Sequence, residues 1–257
     1  MKKQFFLSIM GGFAIFAFVA SSASATHSWG GYHWARKTNP FTLKVGDNMT
    51  STWDPYLDTA ISDWSVSTVL DVTKTVGLTT AKTCRATTGR DEACNARYGN
   101  NGWLGIAQIW ITGDGHITKG TVKMNDTYFN TATYNTPAWR QLVVCQELAH
   151  TFGLDHQDEN FNNPPLGTCM DYTNDPTPNQ HPNQHDFDEL QIIYSHLDAV
   201  NTVAQSAAQG SAQTIGESDG EGTWGESRKH DGHNRISHFE RQVNQNEKLM
   251  TFVVWAE

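Results

Sequence analysis

The stretch Gln146–His156, which reads QELAHTFGLDH, decides how this sequence is interpreted. Positions 146 and 150 are one helical turn apart, so the side chains of Gln146 and His150 share a face and can reach one metal ion. Glu147 is adjacent to them, where a carboxylate can act as a general base. Gly153 allows the chain to leave the helix with a positive φ, and this turn can return His156 to the same ion. The stretch therefore predicts a metal site at the end of a helix.

The residues before this stretch predict the helix that carries it. Thr136 is a suitable N-cap, and Pro137 suits the first helical position because its fixed φ fits there. We expect the helix to end at Gly153. Its predicted core-facing side chains are Trp139, Leu142, Val143 and Ala149.

The remaining pattern predicts an α+β domain. Residues 41–45 and 70–76 alternate apolar and polar side chains, and 53–64 place their apolar side chains on one helical face. Two further strands are predicted at 104–111 and 116–124, around a glycine turn, and a last helix at 186–197. The polar stretches 79–101 and 160–183 are predicted to be loops.

The first 25 residues predict a secretory signal peptide. Lys2 and Lys3 precede an apolar run from 5 to 20, and Ala23-Ser24-Ala25 is a small-residue cleavage site. A membrane anchor is the alternative, but the run is short for a bilayer span. No later apolar run is long enough to cross a membrane. We therefore expect a secreted or periplasmic protein that has no membrane partner after signal cleavage.

Composition sets the domain plan and excludes some partners. Hydrophobic residues make up 38% and charged residues 18% of the chain, which is typical of a globular protein. The net charge of −9 argues against nucleic acid as a partner. We predict a signal peptide over 1–25, a domain over 26–198 that carries the predicted metal site, a low-complexity linker over 199–235, and a C-terminal β-hairpin over 236–257. We expect a monomer.

A second motif, Cys169-Met170-Asp171-Tyr172, follows downstream of the helix. Together the two stretches resemble the metzincin clan of zinc endopeptidases, whose signature is H-E-x-x-H-x-x-G-x-x-H followed by a Met-turn. The resemblance covers residues 32–197 and is nearest to matrixin-like bacterial members. It implies a mixed, twisted sheet and an early helix before the zinc-binding helix, with the Met-turn and a C-terminal helix after it.

The resemblance also implies a role for each matching residue. His150 and His156 would bind Zn²⁺, Glu147 would be the general base toward a zinc-bound water, and Met170 would be the Met-turn methionine. Tyr172 matches the tyrosine that astacin-like and serralysin-like members place near the zinc. The implied function is a secreted zinc endopeptidase that hydrolyses protein or peptide substrates.

One signature position differs, since Gln146 stands where the first histidine is expected. A carboxamide oxygen can bind zinc, although more weakly than imidazole. Alternatively the metal is lost and the fold is a catalytically silent domain that binds peptide or protein. A third ligand can also come from elsewhere, with His181 or His185 as candidates. We favour an active metal site because the other signature side chains remain.

The four cysteines predict two disulfides, since an even number in an exported protein is typical of paired cysteines. Four cysteines allow three pairings. Cys84 and Cys94 lie within one predicted loop. If the Met-turn lies under the metal, as the resemblance implies, Cys145 and Cys169 are brought together. We therefore predict the pairs Cys84–Cys94 and Cys145–Cys169.

Three further expectations concern the rest of the chain. The strand at 104–111 is expected to have a free edge to which an extended peptide substrate adds. Calcium is a second candidate cofactor, at Asp114 and Asp126, although aspartates are common in turns. The remaining histidines are interpreted as scattered surface or packing residues; these are His27, His33, His116, His196, His230, His233 and His238.

Overall fold

The computed structural model describes residues 27–204 and 223–256. The predicted signal peptide lies outside this part of the chain, as does most of the predicted linker. Among the described residues, no helix is long and apolar enough to span a membrane. The described strands are β1 His33–Trp34, β2 Phe41–Asn48, β3 Leu70–Val76, β4 Asp91–Ala96, β5 Trp103–Thr112, β6 His116–Asn125, β7 Glu226–His230, β8 Ile236–Asn244 and β9 Glu247–Trp255. The helices are α1 Asp54–Trp64, α2 Asp126–Phe129, α3 Pro137–Thr151 and α4 Gln184–Ile193.

The strands form a mixed sheet in the order β3-β2-β4-β6-β5-β9-β8-β7, and β1 pairs with β6. Strands β3, β2, β4 and β6 are joined by parallel pairing, whereas β6, β5, β9, β8 and β7 are joined by antiparallel pairing. Parallel neighbours need crossover connections, and α1 between β2 and β3 supplies one of them. The α+β class predicted from the sequence is confirmed.

Helices α1 and α3 pack against each other beside the sheet. Leu57, Ala60 and Trp64 of α1 are buried, at the spacing of three and four residues that places side chains on one helical face. The Trp64 indole Nε1–H donates to the Cys145 carbonyl of α3 at 3.1 Å. This contact fixes α3, and therefore its last turn, against the core.

Both ends of α3 form as the sequence predicts. The Thr136 side chain accepts a hydrogen bond from the Trp139 N–H at 3.2 Å, and Pro137 occupies the first turn. Beyond the helix Gly153 has a φ of +99°, and a Cβ there would lie 2.1 Å from the Tyr32 carbonyl oxygen. Only glycine fits, because other residues would be strained by the φ and would collide with this backbone.

Strand β4 lies inside the polar stretch 79–101, so the prediction of a loop there is wrong for residues 91–96. The strand inserts between β2 and β6, and most of its side chains are buried, including Asp91 and Glu92. Asp91 accepts a hydrogen bond from the Thr151 hydroxyl at 2.7 Å. Because the strand is buried through polar partners rather than apolar side chains, it lacks the hydrophobic pattern of a strand.

The ends of two other predicted segments also differ. Helix α4 begins and ends earlier than predicted, at Gln184 and Ile193, because the Asn183 side chain caps it in a reciprocal pair with Asp186. Strand β7 falls within the stretch 199–235 that was predicted to be linker.

Both predicted disulfides are present. Cys84 bonds to Cys94 and Cys145 bonds to Cys169, each with Cα atoms 5.9 Å apart. The second bond joins α3 to the turn that contains Met170, so it holds the two signature stretches together.

Candidate metal centre

His150 and His156 point one nitrogen each at the same place. Their Nε2 atoms are 3.1 Å apart, and the two rings are nearly perpendicular at 87°. The other ring nitrogens are held by oxygens: His150 Nδ1 lies 2.8 Å from the Leu154 carbonyl, and His156 Nδ1 lies 2.9 Å from Glu159 Oε1. The positive-φ turn at Gly153 brings the second histidine back to the helix, as the sequence predicts.

These contacts fix which nitrogens carry hydrogen. A carbonyl oxygen only accepts, so His150 Nδ1 donates and its Nε2 presents a lone pair. Burial raises the pKa of the Glu159 carboxyl, although Lys229 Nζ, 3.1 Å from its Oε1, acts in the opposite direction. In its ionised form this carboxylate accepts from His156 Nδ1 in the same way. Burial holds the pKa of both His150 and His156 well below the usual range of histidine, so both rings are neutral.

Two facing lone pairs repel each other unless a cation lies between them. Zinc bonds to imidazole nitrogen at about 2.0–2.1 Å, and tetrahedral angles then separate two ligand atoms by roughly 3.3 Å. The 3.1 Å between the two Nε2 atoms is near that separation. Hydrogen bonds from the outer nitrogens to a carbonyl and a carboxylate are the usual support of a metal-binding histidine. The pair of histidines therefore fits a zinc ion.

Three more polar side chains are buried here without a partner. Gln146 and Glu147 are fully buried, and none of their side-chain oxygen or nitrogen atoms has a hydrogen-bond partner among the described residues. The same is true of the Tyr172 hydroxyl. Leaving such groups unpaired is costly, so their presence indicates a group that they bind. Burial raises the pKa of the Glu147 carboxyl and of the Tyr172 hydroxyl well above their usual ranges.

The turn that contains Met170 is buried and leads to Tyr172. Met170 is fully buried, and its carbonyl accepts from the Gln157 N–H at 2.6 Å. Two residues later the Tyr172 ring lies 4.2 Å from the His156 ring and stacks on Phe161 at 5.0 Å. Of the residues selected from the sequence, His150, His156 and Tyr172 are in ring contact, and Gln146 and Tyr172 line one pocket. Glu147 is near enough to Tyr172 for its charge to add to the effect of burial and raise the pKa of that hydroxyl, and Met170 lies in the turn that is joined to α3 by Cys145–Cys169.

The two substitute ligands considered for Gln146 lie elsewhere. His181 is exposed, and its Nδ1 lies 2.6 Å from Asp63 Oδ2. His185 stacks on His27, with ring centroids 4.7 Å apart. Neither has a described contact with His150 or His156. The side chains that could hold an ion together with His156 are instead Asp155, Glu159 and His238.

A histidine that the sequence did not select lies beside the site. His238, on β8, has its ring centroid 5.5 Å from that of His156, and its Nε2 lies 3.2 Å from Asp155 Oδ1. Burial opposes the charge of Asp155, but the hydrogen bond and charge of His238 outweigh it and lower the pKa of that carboxyl. Lys229 of β7 also reaches Asp155, at 2.8 Å. Strands β7 and β8 therefore contact Asp155 beside the site. No local pattern in the sequence predicts this contact.

The C-terminal strand closes the site. Strand β9 pairs with β5 from Trp103↔Trp255 to Thr112↔Glu247, so the expectation that β5 has a free edge is wrong. The sequence predicted the strand but not what would pair with it. Phe252 of β9 stacks on His150 at 4.4 Å, and Val254 lines a pocket beside Gln146.

Calcium at Asp114 and Asp126 has no support in the structure. The two residues lie just beyond opposite ends of β6. Asp126 accepts hydrogen bonds from Trp53 Nε1 at 2.9 Å and Asn95 Nδ2 at 2.5 Å, so both of its oxygens already have partners.

The remaining histidines include buried and exposed residues, as expected, but several of them are clustered rather than scattered. His238 lies beside the candidate metal centre. His33, His116 and His196 converge on Asp198 at the far end of α4.

No family model matches the chain, and no curated protein matches it in sequence. Among solved structures it is similar to high choriolytic enzyme 1, a hatching enzyme zinc-protease from Oryzias latipes (Medaka fish). The identity is 9% and the TM-score 0.37, over 63% of this chain and 94% of that chain. A likeness at this level describes neither the activity nor the site of this chain.

Proposed function

We propose that this chain is a secreted, zinc-dependent endopeptidase with a metzincin-like site. The observation that carries the proposal is the pair of facing Nε2 atoms of His150 and His156, 3.1 Å apart and each backed by an oxygen acceptor. The side chains of Gln146, Glu147 and Tyr172 are buried and unpaired, Tyr172 lies beside His156, and Gln146 and Tyr172 line one pocket. A cation with an exchangeable water explains all five residues together, whereas a packing role explains none of the unpaired atoms.

Zinc would be held by His150, His156 and the carboxamide oxygen of Gln146. Gln146 shares a helical face with His150, and its side chain has no other partner among the described residues. Two imidazoles and one neutral oxygen leave the full +2 charge of the metal uncompensated. When bound, zinc supplies Lewis acidity, which polarises a carbonyl group and lowers the pKa of water.

Glu147 and Tyr172 provide the proton chemistry. Glu147 has no protein partner, so its carboxylate is available to take a proton from the attacking water and to return it to the leaving amine. Burial raises the pKa of Glu147 and so opposes the carboxylate that the first step requires, whereas the +2 charge of a bound zinc would favour it. The Tyr172 hydroxyl stays protonated because burial raises its pKa, and it can donate a hydrogen bond to the developing oxyanion.

A catalytically silent, peptide-binding domain is the second candidate. Two observations favour it: a carboxamide stands in the third ligand position, and the edge of β5 is already filled by β9. It shares the fold and cleft with the first candidate and differs only in chemistry. Zinc content and hydrolysis therefore separate the two.

Bound zinc is measured by mass spectrometry, and activity is measured as hydrolysis of a denatured protein substrate. Both are measured on the intact chain and on a chain cut between residues 204 and 223, because β9 fills the edge of β5 in the intact chain. His150→Ala should lose a zinc ion, whereas the control His181→Ala, at an exposed histidine, should keep it. Glu147→Gln should keep zinc and lose hydrolysis on the order of 10²–10⁴-fold. Glu226→Gln, at an exposed position, is the matched control. A zinc-loaded, cleaved protein without hydrolysis would establish the silent alternative.

A further inference from the structure

Four side chains outside the candidate metal centre converge on one point. His33 lies on β1 and His116 opens β6, and the two are direct partners in the parallel pairing of these strands. His196 and Asp198 follow the C-terminal end of α4. The cluster thus joins an early strand, the turn between β5 and β6, and the chain beyond the last helix of the domain.

The distances among His33, His196 and Asp198 are those between metal ligands, since their ligand atoms all lie within 4.8 Å of one another. His116 contacts Asp198 but does not belong to that set. Asp198 Oδ1 lies 3.4 Å from His33 Nε2, 3.4 Å from His116 Nε2 and 3.5 Å from His196 Nε2. His196 Nε2 lies 3.2 Å from His33 Nε2. These contacts are long for charge-assisted hydrogen bonds, which are typically about 2.7–2.9 Å. Zinc bonds of about 2.0–2.2 Å at tetrahedral angles give separations of roughly 3.3–3.5 Å.

The surrounding hydrogen bonds leave the inward atoms as acceptors. His33 Nδ1 donates to the Gly31 carbonyl at 2.8 Å, so in the neutral ring Nε2 carries a lone pair. The other carboxylate oxygen of Asp198 accepts from the Arg36 guanidinium at 2.9 Å and from the Arg36 backbone N–H at 3.1 Å. Arg36 therefore already balances the charge of Asp198. Asp198 Oδ1 faces the histidine nitrogens, and no protonated histidine is needed to neutralise the carboxylate.

We propose that His33, His196 and Asp198 bind a second, structural zinc ion. Two imidazole nitrogens and one carboxylate oxygen supply three ligands of a tetrahedral set, and the fourth position is left to water. The Gly31 carbonyl and Arg36 orient His33 and Asp198, as outer partners do in metal sites. Bound zinc ties β1 to the chain after α4 and so stabilises the domain. His196 is about half exposed, which gives the ion a path to solvent.

Zinc stoichiometry after dialysis of the full chain tests this site separately from the catalytic proposal. We expect about two zinc ions per chain, and about one for either His196→Ala or His150→Ala. The control His181→Ala should keep about two. An unchanged zinc content in His196→Ala overturns the structural site. If His150→Ala instead leaves the content unchanged, the proposed function fails and the structural site stands.

A thermal measurement isolates the second site. In the His150→Ala background, zinc should raise the melting temperature, because an ion that binds only the folded state stabilises it. The rise should disappear when His196→Ala is added. The same rise in both variants would show that zinc acts elsewhere and would overturn the proposal.

The position of the C-terminal strand β9 beside β5 supports a second inference. This inference rests on the proposed function. Strand β9 uses the edge of β5 along its whole length. Phe252 covers His150, and Val254 and Trp255 line the pocket beside Gln146. Gln146, Glu147 and His150 have no solvent exposure as a result. An extended peptide cannot reach these residues while β9 is in place.

We infer that residues 223–256 inhibit the site in cis by occupying the place of the substrate. Antiparallel pairing to a cleft-edge strand is how an extended peptide binds, and β9 already makes it. Lys229 of β7 and His238 of β8 anchor the segment through Asp155. Release requires a break in the chain between residues 204 and 223, followed by loss of these contacts.

The experiment places a recognition sequence for a specific protease between residues 204 and 223 in the Glu147→Gln background. This variant cannot hydrolyse, so binding of a labelled extended peptide is measured alone. Binding should be weak in the intact chain and at least tenfold tighter after cleavage. A synthetic peptide of residues 247–255 should reverse the gain. Equal binding before cleavage and after separation of the C-terminal fragment overturns the inference, whereas peptide binding without hydrolysis in the Glu147 protein contradicts only the proposed activity.

Discussion

Phe252 lies flat on His150, with ring centroids 4.4 Å apart and ring planes within 5° of parallel. One residue belongs to the last strand of the chain and the other to the proposed metal-binding helix. The contact shields the imidazole from water and places β9 over the site. It makes the C-terminal hairpin part of the candidate metal centre.

Replacing Phe252 should expose the metal. Phe252→Leu keeps an apolar side chain but loses the flat contact with His150, so we expect zinc to transfer to a chelator several-fold faster than from the wild type. Phe239→Leu is the matched control, since Phe239 is a buried aromatic of β8 that packs on Trp224 away from the site. Equal transfer rates for all three proteins would mean that the contact does not protect the ion.

Changes at Gln146 should alter zinc affinity in opposite directions. Gln146→His supplies a third imidazole, a better zinc ligand than a carboxamide, and should tighten zinc binding at least tenfold. Gln146→Ala removes the ligand and should weaken it. Competition with a chromogenic chelator measures both, best in the His196→Ala background where the second site is absent. Unchanged affinity in Gln146→Ala would show that Gln146 is not a ligand.

The two disulfides should differ in their effect on the metal. Cys145–Cys169 closes a loop of 24 positions and joins α3 to the turn that contains Met170, so replacing both cysteines with serine should cost about 3 kcal/mol and weaken zinc binding. Cys84–Cys94 closes a loop of 10 positions outside the two signature stretches. The conformational entropy that this bond removes from the unfolded chain is similar. Its removal should lower stability by a comparable amount and leave zinc affinity unchanged. Denaturant unfolding and zinc titration test the two effects separately.

Asp91 should make stability depend on pH. Burial raises the pKa of its carboxyl to about 8, although the hydrogen bond from Thr151 acts in the opposite direction. The folded protein therefore keeps a proton that the unfolded chain releases near pH 4, so stability should fall as pH rises from about 4 to 8 and level off above. Asp91→Asn should remove most of this slope in urea midpoints, whereas the exposed Asp71→Asn should retain it. A slope unchanged in Asp91→Asn would assign the effect to other groups.

Local chemistry was enough to predict the centre of the domain. The N-cap at Thr136, the glycine turn at Gly153 and the helical spacing of Gln146 and His150 all act within a few residues, so the sequence alone determines that these side chains share one place. The turn at Met170 and the disulfide pairing followed from the resemblance. The helix cap and the glycine turn agree with the structure because short-range backbone geometry leaves little freedom.

Partners that are distant in the chain could be identified only from the tertiary structure. Strand β4 is buried through polar contacts such as that of Asp91 with Thr151, 60 positions away, and lacks an apolar pattern. His33 and His196 are 163 positions apart, yet their nitrogens lie 3.2 Å from each other. The pairing of β9 with β5 uses backbone groups that every residue carries, so no side-chain pattern specifies it. The sequence determined which residues can bind a metal and form the helix that presents them. The tertiary structure decided which histidines meet and which strand covers them, because both depend on packing between segments that share no local pattern.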